Sequence, residues 1–298
     1  MRVGLFLNEP QGPDPIGELR ETIARAADDG FASAWQSHIF GLDALTALAV
    51  AGSQVPGIEL GTAVVPTYPR HPAALAQQAL TTNAALGGRL ALGIGLSHQI
   101  VIEHMFGYDF SRPARHMKEY LDILLPLARG EKAEVTGETL KANIQLSTPG
   151  TGLPVLIAAL APRMLALAGA VADGTVLWMT GPRTVAEHVV PALTAAASGA
   201  GRPAPPIDCA LPVCVTDDPA AAKARAAEVF SVYGELPSYR AMLDREGAAT
   251  PGDVAIVGDE EAVRAQIDGL AKAGVTDFVA AEFSGRERTR AFLKGLLG

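Results

Sequence analysis

Three short stretches of this 298-residue chain gather residue types that do chemistry. His38 closes the run Ser33-Ala-Trp-Gln-Ser37, where an imidazole can hydrogen-bond a ligand or move a proton near neutral pH. The run Leu90-Ala-Leu-Gly-Ile-Gly-Leu-Ser-His98 places Gly93 and Gly95, which allow close backbone approach to a ligand, just before His98. It is not a dinucleotide fingerprint, because His98 stands where G-x-G-x-x-G requires its third glycine. Gly95-Leu-Ser97-His-Gln99 approaches the nucleophile elbow G-x-S-x-G, but Gln99 replaces the glycine that permits the tight turn. In the third stretch, Ala158-Ala-Leu-Ala-Pro162-Arg163, a helix opens at Pro162. Its first-turn amides and Arg163 suit an anion, although an ordinary strand-to-helix turn with a surface arginine explains the pattern equally well. His98, Glu103 and His104 lack a familiar ligand spacing, so no metal is expected.

The elements that position these residues follow from hydrophobic periodicity. Eight short apolar or β-branched runs read as strands: Val3–Asn8, Ala32–Ser37, Ile58–Val65, Leu90–Gly95, Leu153–Ala158, Thr175–Met179, Ile207–Val215 and Val275–Ala281. Helical patterns alternate with them near Ile16–Asp28, Leu42–Ser53, Ala73–Leu86, Arg112–Ala128, Arg163–Val171, Thr184–Ala197, Pro219–Tyr233, Glu260–Lys272 and Glu287–Leu296. Eight βα units predict an α/β fold, a single (β/α)8 TIM barrel over residues 1–298. Asp14-Pro15 opens the first helix and Gly30 closes it, while Asp259-Glu260-Glu261 and Gly274 bracket a later one. Residues 130–152 fit a small inserted hairpin around Val135-Thr-Gly-Glu-Thr139. In such a barrel the active site lies where strands end. That selects Asn8, Glu9, His38, Val64–His71, Gly95–His98, Ala159–Arg163, Met179–Gly181 and Glu282.

Composition excludes several classes. Apolar residues make up 49% of the chain against 19% charged, which supports a large core rather than disorder. The net charge of −8 lacks the basic excess of a phosphate-backbone binder, so nucleic acid is not an expected partner. Pro162, Arg163 and Asp173 interrupt the longest apolar tract, so no membrane span is expected either. The opening residues lack a signal-peptide pattern, and Cys209 and Cys214 read as reduced core thiols on opposite faces of a strand. Both features lead to the expectation of a cytoplasmic protein.

Five segments together resemble the luciferase-like monooxygenase superfamily, and within it the coenzyme F420-dependent oxidoreductases. They are Val3-Gly-Leu-Phe-Leu7, Trp35-Gln-Ser-His38, and residues 60–81, 87–98 and 161–174. The resemblance covers nearly the whole chain and independently implies a (β/α)8 barrel with a deazaflavin ring in its mouth. It implies that His38 contacts the ring, in a position usually preceded by an acidic residue where this chain has Ser37. It also implies a non-prolyl cis peptide at Ala63-Val64 backing the ring, a cofactor-side loop of Leu96, Ser97 and His98, and phosphate contacts from Leu160, Ala161 and Arg163. His38 or His98 would transfer a proton while a hydride passes between deazaflavin C5 and a small organic substrate.

The same superfamily includes flavin mononucleotide (FMN) monooxygenases that use reduced flavin and O2, which is the first alternative. A serine hydrolase built on Ser97, His38 or His98 and Asp109 is a second, and a non-catalytic barrel a third. Arg70, Arg112, Arg115 and Lys118 are candidates to offset the anionic cofactor tail. Relatives commonly pair through outer helices, so a homodimer through the alanine-rich faces near Leu42–Val50 and Ala73–Leu86 is an expectation. Packing of those faces within one chain is the other.

Overall fold

The structure is a computed structural model and describes residues 1–297. Eight parallel strands close into a barrel: Arg2–Leu7, Ser33–Gln36, Glu59–Thr62, Leu90–Gly95, Val155–Ala158, Gly174–Trp178, Ile207–Val215 and Asp277–Glu282. Each pairs with the next, and the eighth returns to the first with Arg2 opposite Asp277 and Leu5 opposite Ala280. The predicted α/β barrel is therefore the observed fold.

The strands are apolar almost throughout because both faces are covered. Leu90, Leu92 and Ile94 pack outward against the helices, while Ala91 points into the barrel with Trp35, Leu156, Val176, Ala210 and Val279. Large and small residues alternate across this interior, as with Trp35 beside Ala91 and Ala210. The indole of Trp35 occupies the space a side chain at Gly61 would need, and donates its Nε1–H to Ser33 Oγ at 2.9 Å. Phe6, Ala63, Val64 and Trp178 lie partly buried on this cluster.

Helix starts obey the local signals: Asp14, Asp43 and Asp259 each accept a backbone N–H in the first turn of the helices Pro15–Asp28, Ala44–Gly52 and Glu260–Ala273. Gly274 ends the last of these in the left-handed conformation. The alanine-rich faces of Ala44–Gly52 and Pro72–Ala85 pack within the chain, where Ala44, Leu45, Leu48, Leu75, Ala76 and Ala79 are buried. The inserted hairpin forms as Ala133–Thr136 and Lys141–Ile144. Its turn is tied to the helix Pro113–Ala128 by Glu119, whose carboxylate accepts from the Thr139 hydroxyl and the N–H groups of Glu138, Thr139 and Leu140 at 2.6 to 2.9 Å. Burial pushes that carboxyl up, and these donors together pull it down to about 2.

Three differences from the predicted elements matter for the site. The run Ile58–Val65 is not one strand: a cis peptide at Ala63-Val64 separates Glu59–Thr62 from a short continuation at Val65–Pro66. The single helix predicted over Pro219–Tyr233 is instead Pro219–Val229 followed by Ser231–Glu235 and Pro237–Glu246, and Ile256–Gly258 adds a strand against the end of the seventh. Segment Ile100–Met105 is a π-helix after the fourth strand. Both cysteines are free and buried, Cys209 under the helices and Cys214 in a satellite cluster with Ala222, Ala226 and Val257.

At the far end of the barrel from the strand C-termini, the register aligns Asp208, Asp277 and Arg2 on adjacent strands. Arg2 pairs with Asp277 and with Glu59. Asp208 is left buried, and burial, followed by the charges of Asp277 and Glu59, pushes its carboxyl up to about 8 despite Arg2. The native state thus holds a proton that the unfolded chain releases near its ordinary value of 3.8, so this group's contribution to stability falls as pH rises from about 4 to about 8. Asp208→Asn removes that titration. Its stability advantage over the parent chain is expected to grow by up to about 1.4 kcal/mol per pH unit across that window and to level off above it. Urea unfolding at pH 5, 7 and 9 checks this, and a pH-independent difference would contradict it.

Candidate active site

The C-terminal strand ends form a mouth with a polar side and an aromatic side. On the polar side, His38 follows the second strand and stands at the start of the helix Ala44–Gly52. Its Nδ1 accepts the Ala44 N–H at 3.1 Å, and its Nε2 lies 3.1 Å from Arg70 Nη1. Arg70 also pairs with Asp43, whose Oδ1 takes the Thr46 N–H at 2.9 Å and Gln78 Nε2 at 3.2 Å. Burial first, and then the Arg70 charge, hold His38 below the ordinary imidazole value of 6.5, against the opposite pull of Asp43 and Glu9. The imidazole is therefore neutral at pH 7.

Glu9, at the end of the first strand, accepts from Ser37 Oγ at 2.7 Å and Gln36 Nε2 at 3.2 Å. A carboxylate thus reaches the position before His38 from another strand, through the serine that stands there. Gln36 is fully buried, and its Oε1 has no partner among the described residues. The loop that carries Arg70 is pinned from behind: Tyr68 stacks on His116 at 3.9 Å, and His116 Nε2 is 3.1 Å from Thr67 Oγ1.

The aromatic side is built by the helices after the seventh strand. Trp178 at the end of the sixth strand stacks on Phe6 at 5.5 Å and meets the edges of Phe230 and Tyr233, each at 5.7 Å. Tyr239 packs on Tyr233 at 5.1 Å and on His98 at 5.6 Å. His98 is thus part of an aromatic wall, where burial lowers its pKa. No hydrogen bond or ring contact joins it to His38 among the described residues. Periodicity alone could not reveal this wall: Phe230 and Tyr233 fall in the stretch read as one helix over Pro219–Tyr233, and Tyr239 falls in a stretch read as no element. Position at a strand end selects Glu9 and the 64–71 loop, but not the pairing of Arg70 and Asp43 with His38.

Between the two sides lies the bulge of the third strand. Thr62 Oγ1 accepts the Gly93 N–H at 3.0 Å and donates to the Gly93 carbonyl at 2.8 Å. A methyl at Gly93 would overlap the Thr62 carbonyl oxygen, and one at Gly95 would overlap the Val64 side chain. Both glycines make room for the bulge that presents Ala63 and Val64 at the mouth. Leu96, Ser97 and His98 continue from there, half-buried, with Ser97 in the left-handed region at φ 60°. Met179 adopts φ 53° at the corresponding end of the sixth strand. Non-glycine residues in this conformation cluster at functional sites.

The serine-hydrolase arrangement is not assembled. Both His38 nitrogens face N–H groups, and Ser97 Oγ bonds to no imidazole among the described residues. Among the described residues no cluster could hold a metal ion and no helix is long and apolar enough to cross a membrane.

At the fifth strand end, Leu160 is half-buried and its carbonyl accepts from His188 Nε2 at 2.8 Å. The helix Pro162–Val171 opens without a side-chain cap. The N–H groups of Met164 and Leu165 return to the Ala161 carbonyl and Pro162 has none, which leaves the backbone N–H groups of Ala161 and Arg163 free among the described residues. The Arg163 side chain is exposed along a groove of about 780 Å³ shared with Arg115, Lys118 and the hairpin. Of the other candidate cations, Arg112 and Arg115 pair with Glu138 and Lys118 with Asp122, so Arg70 alone of that set joins the mouth. Glu282 is a buried partner of Arg290, with a structural role.

Comparison with known proteins gives this site its family. The profile of the luciferase-like monooxygenase family matches residues 1–277. A 5,10-methylenetetrahydromethanopterin reductase of Methanolobus tindarius is 28% identical over 93% of this chain and 94% of its own length. A putative coenzyme F420-dependent oxidoreductase of Mycobacterium tuberculosis is 32% identical over 61% of this chain and 57% of its own. Among solved structures, the F420-dependent tetrahydromethanopterin reductase of Methanopyrus kandleri superposes with a TM-score of 0.84, at 22% identity, over 98% of this chain and 97% of its own. The FMN-bound oxygenating component of 3,6-diketocamphane monooxygenase from Pseudomonas putida superposes with a TM-score of 0.75, at 18% identity, over 100% of this chain and 96% of its own. With its profile matched over nearly its full length and its barrel closed as theirs are, the chain belongs to the luciferase-like monooxygenase family, and so to the oxidoreductases.

Proposed function

We propose that this chain is a coenzyme F420-dependent oxidoreductase that transfers a hydride between the deazaflavin C5 and a small organic substrate. The observation that carries this reading is the partly exposed apolar floor of Phe6, Ala63, Val64 and Trp178 at the barrel mouth, bordered on one side by the donors of His38 and Arg70. A flat heteroaromatic ring needs such a floor, and its polar edge needs such donors. The names of the methanopterin reductase and F420-dependent relatives support the same choice of cofactor.

When bound, the reduced deazaflavin supplies two electrons as a hydride. The chain's own residues do the rest. Ala63 and Val64 back the ring, and Leu96, Ser97 and His98 line its edge. The free N–H groups of Ala161 and Arg163 at the helix start, with Leu160 beside them, receive the phosphate. The aromatic wall of Trp178, Tyr233 and Tyr239 excludes water from the reacting face. His38, neutral and anchored by Ala44 and Arg70, borders the reacting centre on the polar side.

A flavin reading, with reduced FMN and O2, is favoured by one observation, the superposition on the FMN-bound camphane monooxygenase component. Titrating the purified protein with oxidised F420 and with FMN, followed by fluorescence quenching, separates the two. F420 is expected to bind at least about tenfold tighter than FMN, a difference of about 1.4 kcal/mol. Preference for FMN would replace the proposal with flavin-dependent monooxygenation, and binding of neither would point to a non-catalytic barrel.

A further inference from the structure

Away from the mouth, the C-terminal halves of the helices Pro113–Ala128 and Pro162–Val171 border a cavity of about 410 Å³. Its wall is apolar along Leu121, Leu125, Pro126 and Val171, and Val171 is left exposed. Arg129 and Arg202 line it as well. Arg129 lies about 20 Å along the helix direction from Arg115 of the mouth-side groove, so this place is separate from the free N–H groups of Ala161 and Arg163. Arg202 is set locally. The helix Val190–Gly199 ends with Gly201 in the left-handed region, and the Arg202 N–H returns to the Ala197 carbonyl at 2.9 Å. Its Nη2 faces Asp173 Oδ1 at 3.6 Å, too long for a hydrogen bond, while Asp173 Oδ2 accepts the Val155 N–H at 3.0 Å. Arg202 Nη1 is buried and has no acceptor among the described residues. A charged donor left unmatched in this way is costly, and the planar guanidinium fork matches the two oxygens of a carboxylate.

We propose that this cavity binds a monocarboxylate with a compact apolar body, its head on Arg202 and Arg129 and its body against Leu121, Leu125, Pro126 and Val171. The charges around the cavity select the head. Lys118 is matched by Asp122 and Arg202 by Asp173, whereas Arg129 is exposed with no carboxylate of its own among the described residues. One positive charge is left over, and a monoanion balances it. A phosphate monoester carries close to two negative charges at pH 7 and would be repelled by Asp122 and Asp173. The apolar wall selects the body, since each methylene it covers raises affinity about fourfold. The site is independent of what the barrel mouth holds.

Calorimetric titration of the full chain, without cofactor, tests the proposal with hexanoate and benzoate as probes and with acetate, hexanamide and hexyl phosphate for comparison. Hexanoate is expected to bind with a Kd below about 1 mM, at least about tenfold tighter than acetate, which lacks the body, and than hexanamide, which lacks the charge. Arg202→Gln is expected to weaken hexanoate at least about tenfold, and Arg202→Lys to recover only part of that, because an ammonium lacks the fork. Val171→Asp, which leaves both arginines in place, is expected to weaken it comparably. Arg163→Ala, beside the mouth, is expected to change the affinity less than about twofold. Hexanoate binding that survives both Arg202→Gln and Val171→Asp, or that is lost in Arg163→Ala, puts the carboxylate elsewhere and overturns the proposal. Binding of both carboxylates weaker than about 10 mM, or tighter binding of hexyl phosphate than of hexanoate, overturns it as well. Should Arg202→Gln fail to fold, Arg129→Gln and Val171→Asp carry the same test, with at least about threefold and tenfold weakening expected.

Discussion

His38→Ala is expected to slow hydride transfer to or from bound F420 by about 100-fold or more in single-turnover measurements, because it removes the polar ring that Ala44 and Arg70 hold at the edge of the mouth. The fold should survive at a cost of about 1 kcal/mol, since the imidazole also caps the helix Ala44–Gly52 through the Ala44 N–H. The pH dependence has a definite sign. Burial and Arg70 depress the folded-state pKa of His38 below 6.5, so its neutral form is retained below the pH at which a free imidazole would protonate. The rate should hold level from pH 8 through 6.5 and fall only below that. The stability contributed by the buried neutral ring is present above about pH 6.5 and is lost as pH falls through the depressed value. A single-turnover rate unchanged in His38→Ala would remove this residue from the reaction.

Gly93→Ala is expected to be among the most damaging single-methyl additions in the chain, costing about 3 kcal/mol or more. The added carbon would overlap the Thr62 carbonyl, a backbone atom that cannot move aside while Thr62 Oγ1 brackets Gly93 with two hydrogen bonds. Val64 closes the other side, with its Cγ1 3.1 Å from the added carbon. The melting temperature should fall by about 5 °C or more. The control is Gly199, at the end of the helix Val190–Gly199, where an added methyl meets nothing within 4 Å. Gly199→Ala should leave the melting temperature within about 1 °C of the parent. Comparable melting of the two variants would mean that Thr62 and Gly93 are not packed as described.

Both predictions depend on features that were unequally legible in the sequence. Helix starts at Asp14-Pro15 and Asp259 are local events, a side-chain oxygen reaching an amide three residues on, and they form where they were read. The hairpin Ala133–Thr136 with Lys141–Ile144 was legible for the same reason. The break after Val229 and the helix Pro237–Glu246 were not, because packing of Tyr233 on Trp178 and of Tyr239 on Tyr233 sets where these segments lie. The cis peptide at Ala63-Val64 follows from resemblance to a family and from no property of alanine or valine. Gly93 and Gly95 were visible as glycines, but what fills the space beside them is a neighbouring strand.

The sequence by itself determined the architecture. Eight apolar runs, each buried on both faces and separated by amphipathic helices, have one economical way to hide their surface from water, and that is a closed barrel with its chemistry at the strand ends. Only the tertiary structure decided what the chemistry-bearing side chains meet. Arg70 reaches His38 from 32 residues away, and Glu9 reaches Ser37 from 28. Tyr239 closes on His98 from a helix whose own pattern says nothing of an active site. The protonation state, tautomer and donor direction of an imidazole depend on charges and hydrogen bonds within a few ångströms, and barrel closure sets those neighbours by bringing distant strand ends together.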